Sequence, residues 1–311
     1  MSVSNEPAGA VTAPHTGTWR AWLVAARIPT LSVAVAPVLV GSAAAVHGGA
    51  VQPWAAVGAL IVALAIQVGT NLSNDVLDFM RGADTPSRRG PVRATASGLL
   101  APKRVAAGAV VCFGVAGLVG AVFALRYGWP VVLVGAMAIG AGLGYTAGPW
   151  PLGYHGLGEL SVFAFFGVVA VVGTAYVQTG VISALAVAAS VPVGLVATAV
   201  LVVNNLRDAE TDRAAGKRTL AVRLGRRGTT TLYVACLAGA GAAPVFMRAW
   251  GLVGGWFWLP WLAVPLGATL VRAVVGNADA ATLNRALRKT AELDLWLGLL
   301  LGASMLLGAG R

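Results

Sequence analysis

The stretch Ile66-Gln67-Val68-Gly69-Thr70-Asn71-Leu72-Ser73-Asn74-Asp75-Val76-Leu77-Asp78 passes from oil to acid within four helical turns. It closes an apolar segment that starts at Trp54 and carries no charge before Asp75. A basic run from Arg81 to Arg104 follows it. The pattern returns further on. An apolar segment from Ile182 ends in Asn204-Asn205-Leu206-Arg207-Asp208-Ala209-Glu210-Thr211-Asp212, and Lys217, Arg218 and Arg223 come next. Six of the 11 acidic residues lie in or beside these two stretches: Asp75, Asp78, Asp84, Asp208, Glu210 and Asp212. Carboxylates are costly near a membrane, so their clustering asks for a physical reason.

The membrane itself follows from composition. The chain is 58% hydrophobic and 11% charged, with mean hydropathy +0.79. A soluble domain has about 25% charged residues. An apolar surface this large is hidden only in lipid, so the fold class expected is an all-α polytopic membrane protein. Nine spans are expected around a central cavity, at roughly 19–46, 54–79, 105–125, 129–145, 160–178, 182–208, 229–248, 252–275 and 291–308. They form a single integral-membrane domain over 19–311, and 1–18 reads as a disordered tail. That tail lacks the apolar core of a secretory signal. The +11 charge points to no nucleic acid, because the basic residues punctuate apolar spans rather than form a soluble patch.

The basic residues also set an orientation. With the N-terminus in the cytoplasm, all of the 22 Lys and Arg residues except Arg126, Arg248 and Arg311 fall on the cytoplasmic side. The expected location is the cell's inner membrane, multi-pass, with the C-terminus outside. Both acidic stretches, and the cavity mouth, then lie at the cytoplasmic face. Cys112 and Cys236 fall in different apolar spans and read as small buried hydrophobes. Gly140-x-x-x-Gly144 follows no strand and reads as helix packing, not a nucleotide loop. Pro37, Pro192 and Pro265 fall inside expected spans as tolerated kinks.

Residues three or four apart share a helix face. Asn71, Asp75 and Asp78 form one stripe, with Asn74 beside Asp78, and Asn204, Asp208 and Asp212 form a matching one. Each stripe is an oxygen ladder at a cytoplasmic helix end, and each precedes a basic loop. Four facing carboxylates would repel one another and take up protons. A hard divalent cation removes that conflict, and Mg²⁺ binds through one or two carboxylates plus substrate phosphates. Nearby Arg and Lys side chains suit the remaining phosphate oxygens. The expected ligand is therefore a Mg²⁺-bound diphosphate at the membrane surface, with a tail entering the bilayer. The competing reading is a transporter, whose acids sit at broken helices near the midplane.

These residues resemble the UbiA superfamily of intramembrane prenyltransferases. That family carries Asn-Asp-x-x-Asp on its second helix and Asp-x-x-x-Asp on its sixth, matched here by Asn74-Asp75-Val76-Leu77-Asp78 and Asp208-Ala209-Glu210-Thr211-Asp212. Further matches are similar to the branch that prenylates 1,4-dihydroxy-2-naphthoate in menaquinone synthesis. They include Gly90-Pro91-Val92-Arg93, Tyr145-Thr146-Ala147-Gly148-Pro149, and Pro151-Leu152-Gly153-Tyr154-His155-Gly156-Leu157-Gly158-Glu159. Two departures stand out. Gly82 stands where the wider pattern often has a further Asp, with Asp84 two residues on, and the early segment reads Arg27-Ile28-Pro29-Thr30-Leu31.

The resemblance implies transfer of a polyprenyl chain from its diphosphate to 1,4-dihydroxy-2-naphthoate, giving demethylmenaquinol with loss of CO₂. Another aromatic acceptor, such as 4-hydroxybenzoate or homogentisate, is the alternative. It implies Mg²⁺ on Asp75, Asp78, Asp208 and Asp212, aided by Asn71, Asn74, Asn204 and Asn205. Arg88, Arg93, Lys217 and Arg218 hold the leaving diphosphate. Tyr145 either faces an allylic cation with its ring or belongs to an interfacial belt. Arg27 either pairs with the acceptor carboxylate or snorkels to the interface. Glu159 either caps a helix or helps deprotonate the phenol. Prenyl length and oligomeric state are not encoded in any motif.

Overall fold

The computed structural model describes residues 17–83 and 90–308, and among these there is no strand. Helix α1 (Trp19–Ala26) stops at Arg27, which takes the left-handed conformation at φ 56°. A single 3-10 turn over Ile28–Thr30 leads into α2 (Ser32–His47), and the two halves meet at 53°. Pro29 lies in the first positions of that turn, where a missing N–H costs nothing. The expected first span is thus a broken one. Next come α3 (Pro53–Met80), α4 (Pro102–Tyr127) and α5 (Trp129–Gly144). The fifth expected span is built from α6 (Gly158–Val162), a π-helical turn over Phe163–Val169, and α7 (Ala170–Thr179). The chain ends with α8 (Ala184–Ala214), α9 (Leu220–Ala249), α10 (Val264–Gly276) and α11 (Ala280–Gly308).

Among the described residues, seven helical segments are long and apolar enough to cross a membrane, and the bent pair α1–α2 makes an eighth. The helix α5 is apolar but has 16 residues, a rise of about 24 Å against a hydrocarbon core of about 30 Å. The protein is a multi-pass membrane protein. Pro265 lies inside the span Leu259–Gly276 as expected, at the point where a 3-10 turn over Leu259–Ala263 passes into α10.

The helix α8 is the central post, with 72% of its apolar window buried, while α4 has 17% and faces outward. Leu125 on α4 is 90% exposed, which only lipid accommodates for an apolar side chain in a row of its kind. Helix packing in lipid relies on close approach of small residues rather than on escape from water. The π-helical turn shows this. A Cβ on Gly167 would lie 2.6 Å from the Gly194 backbone, so the turn and α8 touch main chain to main chain. The same reasoning corrects one expectation. Gly140 and Gly144 face open space, and Gly142 between them makes the contact, its would-be Cβ 2.4 Å from Thr70 Oγ1 on α3.

Candidate active site

The two polar stretches lie at the same end of the bundle, at the C-termini of α3 and α8. Asp78 is the hub. Its Oδ2 accepts from the Arg93 guanidinium at 2.8 Å, and its Oδ1 accepts from the Tyr154 hydroxyl at 3.0 Å and from Lys217 Nζ at 3.5 Å. Its side chain is 6% exposed, so these are charge-assisted bonds shielded from water. Lys217 also reaches Asp212 Oδ1 at 3.9 Å. One ammonium thus joins a carboxylate of each ladder, which places both at a single cationic position.

Tyr154 supplies a second kind of support. Lys217 Nζ sits 4.6 Å from its ring centroid and the Arg81 guanidinium 5.5 Å away, both in cation–π range. Burial, followed by the charge of Asp78 and the hydrogen bond to it, holds the Tyr154 hydroxyl protonated well above the ordinary tyrosine range. It remains a donor to Asp78. The loop carrying it is tied to the second ladder's loop, because Tyr154 O accepts from Arg218 N at 2.8 Å and His155 O from Arg223 Nη2 at 2.8 Å.

Tyr145 follows α5 and packs against the same loop. A Cβ on Gly153 would lie 2.7 Å from its ring, and one on Gly158 would lie 3.0 Å from its hydroxyl. The glycines of that segment therefore make a slot for the ring. Tyr145 also lines the rim of an apolar cavity of ≈ 890 Å³. Ala34, Ile66, Thr70, Ile139 and Phe165 line it, and its far end reaches Ile182. Tyr145 thus stands between the charged cluster around Asp78 and an oily chamber.

A model of known protein families matches residues 34–307, under the description UbiA prenyltransferase family. The chain belongs to the UbiA prenyltransferase family. Among its relatives, the 1,4-dihydroxy-2-naphthoate octaprenyltransferase of Mycobacterium tuberculosis is 44% identical over 75% of this chain and 80% of that protein. The enzyme of the same name from Mycobacterium leprae is 37% identical over 93% of this chain and 97% of its own length. A UbiA homologue from Archaeoglobus fulgidus, solved bound to GPP and Mg²⁺, has the same fold with a TM-score of 0.62. It is 13% identical, and the match covers 91% of this chain and 99% of that one.

Within this UbiA chain the expected site residues divide into groups. Asp78, Asp212, Arg93 and Lys217 come together as described. Asn74 lies beside them, its Oδ1 accepting from Thr146 Oγ1 at 2.8 Å. Arg218 is exposed at the rim and joins Tyr154 through its backbone N–H. Arg88 lies outside the described residues. Asn71 turns away from the ladder, donating to Ala26 O at 2.9 Å and so fixing the end of α1 next to Arg27. Asn205 donates to Glu159 Oε1 at 2.9 Å. Glu159 is 5% exposed and stands in the first turn of α6, where a carboxylate suits the helix N-terminus.

The ladders are also less bare than the spacing predicts. Asp208 is held by the fork of its neighbour Arg207, at 2.8 Å from Nε and 2.6 Å from Nη2. Arg207 further donates to Asn204 Oδ1 at 2.8 Å and to Asn284 Oδ1 on α11 at 2.7 Å. Asp75 gives both carboxylate oxygens to backbone amides, Ala94 N at 3.0 Å and Thr95 N at 2.9 Å. Repulsion among four naked carboxylates is therefore relieved by the chain's own donors. Tyr154 and Arg207 are the residues that sequence reasoning missed. Tyr154 sits inside a family-like segment, which is the one signal that marked it.

Among the described residues no group of three His, Cys, Asp or Glu side chains is placed to cage a metal. Mg²⁺ keeps waters and takes one or two carboxylates with substrate phosphates, and Asp78 and Asp212, which share Lys217, are a pair that could supply them. The ammonium between Asp78 and Asp212 marks where a cation is wanted. The donor set fits the ion.

Proposed function

We infer that the protein transfers a polyprenyl chain from its diphosphate to 1,4-dihydroxy-2-naphthoate. The observation that carries this is the Lys217 ammonium spanning Asp78 and Asp212, beside the Tyr154 loop against which the cavity-lining Tyr145 packs. Relatives named for this reaction cover most of the chain and support the choice of acceptor. Nine spans, with both ladders and the cavity mouth on the cytoplasmic face, agree with the distribution of basic residues.

Asp78 and Asp212, with Asn74 beside them, would hold Mg²⁺, which would supply positive charge to the departing diphosphate. Arg93, Lys217 and the exposed Arg218 bind the remaining oxygens and orient the allylic carbon. Tyr154 keeps Asp78 aimed by donating to Oδ1. Asp208 stays on Arg207, which locks the end of α8 to α11. The C–O bond breaks and its electron pair leaves with the diphosphate. The allylic cation lies under the Tyr145 ring, whose π face favours a cation. The apolar wall excludes water that would otherwise capture it. The electron-rich ring of the acceptor forms the new C–C bond. Loss of the ring carboxylate as CO₂ leaves its bonding pair behind and restores aromaticity.

The test is transfer of a labelled prenyl chain to the naphthoate by purified protein in detergent, with Mg²⁺ and then with EDTA. Product with Mg²⁺ and none with EDTA is expected. Full activity in EDTA, or no product from the naphthoate, refutes the assignment.

A further inference from the structure

Asp75 stands one helical turn before Asp78, in the motif read as metal-binding, yet its surroundings are those of a structural anchor. It is 1% exposed. Both oxygens accept backbone amides from the segment that follows Gly90, Ala94 N at 3.0 Å and Thr95 N at 2.9 Å. A hydrated, octahedral Mg²⁺ needs an open face on its ligand, and a carboxylate this enclosed offers none.

What Asp75 holds is a single turn. Ser97 N donates to Arg93 O at 3.0 Å and Gly98 N to Thr95 O at 3.0 Å. Ser97 Oγ adds a bond to Arg93 O at 2.6 Å, and Gly98 closes the turn at φ 73°, a conformation suited to glycine. Ala94, Leu99 and Leu100 are buried against Ala21 and Ala25 of α1 and against Leu72 and Val76 of α3. At the open start of this turn the amides of Ala94 and Thr95 lack intra-turn partners, and the carboxylate supplies them. Arg93 directly precedes these amides and places its guanidinium 2.8 Å from Asp78 Oδ2. The carboxylate that pins the turn thus fixes the root of the arginine that meets the hub carboxylate.

We propose that Asp75 is a positioning residue that folds the 93–98 turn and thereby sets Arg93 against Asp78 and the diphosphate. This rests on the reading of the site as a diphosphate site. In Asp75→Asn one acceptor oxygen becomes an NH₂ donor facing an amide N–H, so one of the two bonds turns repulsive. The effect reaches substrate through Arg93, and not through the metal.

Three variants test this: Asp75→Asn, Arg93→Gln and the double variant, with Asp78→Asn alongside. Asp75→Asn is expected to raise KM for the prenyl diphosphate by about tenfold, the loss of roughly one charge-assisted bond. Half-saturating Mg²⁺ at saturating diphosphate stays at the wild-type value, whereas Asp78→Asn raises it. Added to Arg93→Gln, Asp75→Asn costs less than about threefold more, because both act through one side chain. A raised Mg²⁺ requirement in Asp75→Asn, or fully additive effects in the double variant, overturns the proposal. Amide hydrogen exchange over residues 93–98 reads the turn without turnover. It is expected to quicken in Asp75→Asn and to stay slow in Asp78→Asn, and unchanged exchange in Asp75→Asn overturns the proposal. If the wild type fails to transfer prenyl groups, the exchange result still judges Asp75, so the two failures are distinguishable.

Discussion

Replacing Tyr154 by Phe removes one hydroxyl and leaves the ring. The hydroxyl donates to Asp78 Oδ1 at 3.0 Å, and the ring lies 4.6 Å from Lys217 Nζ. A hydrogen bond to a buried carboxylate is worth about 1.5–3 kcal/mol. Lys217 already approaches the same oxygen at 3.5 Å and closes in when the hydroxyl goes, so the lower end applies. About 1.5 kcal/mol corresponds to roughly a tenfold fall in kcat/KM. Tyr154→Leu also removes the aromatic face beneath two cations, a further loss of about 0.5–1 kcal/mol, or roughly twofold to fivefold. The pH dependence follows from the raised hydroxyl pKa. A group whose folded pKa lies above its unfolded one gives its full contribution below the unfolded value, near pH 10 for tyrosine, and loses it as pH rises through the folded value. Wild type and Tyr154→Phe therefore share the same profile up to about pH 10. The assay is steady-state prenyl transfer with both substrates varied, from neutral pH to pH 10. A Phe variant within twofold of wild type, or a wild-type loss of activity below pH 10 that Phe abolishes, refutes the role given to Tyr154.

Lys217→Met removes the ammonium between Asp78 and Asp212. Divalent-ion binding without diphosphate is expected to tighten while KM for the prenyl diphosphate rises by about tenfold or more, and calorimetry with kinetics reads the two opposite changes. Gly153→Ala places a Cβ 2.7 Å from the Tyr145 ring. Such overpacking costs about 1–3 kcal/mol, read as a lower unfolding temperature in detergent together with slower transfer.

The spans were legible because lipid imposes one rule, an apolar run of bilayer length; seven or eight of the nine expected segments meet it among the described residues, and α9 and α11 begin at Leu220 and Ala280, well before the expected 229 and 291. The broken first span was not, since Arg27 in the left-handed region depends on the contact of Ala26 O with Asn71, 45 residues away. The ladders were legible from helical spacing, which reports which residues share a face. It says nothing of partners arriving from loops, and those decide the site. Asp75 and Asp78 look equivalent in sequence, yet backbone amides claim the first and Arg93, Tyr154 and Lys217 claim the second. Arg207 and Asp208 are adjacent, and neighbours on a helix do not normally face each other. Only the length of the arginine lets its fork wrap back. Tyr154 sits in a Pro/Gly loop without periodicity, so its meeting with Asp78, 76 positions away, follows from tertiary structure alone.

In the mechanism proposed, the two ladders hold one metal-bound diphosphate. Electron paramagnetic resonance of Mn²⁺ in place of Mg²⁺, titrated into purified protein with and without inorganic diphosphate, tests it most directly. Strong Mn²⁺ binding is expected only with diphosphate, lost alike in Asp78→Asn and Asp212→Asn. Binding that survives in either variant, or that ignores diphosphate, would contradict a shared site.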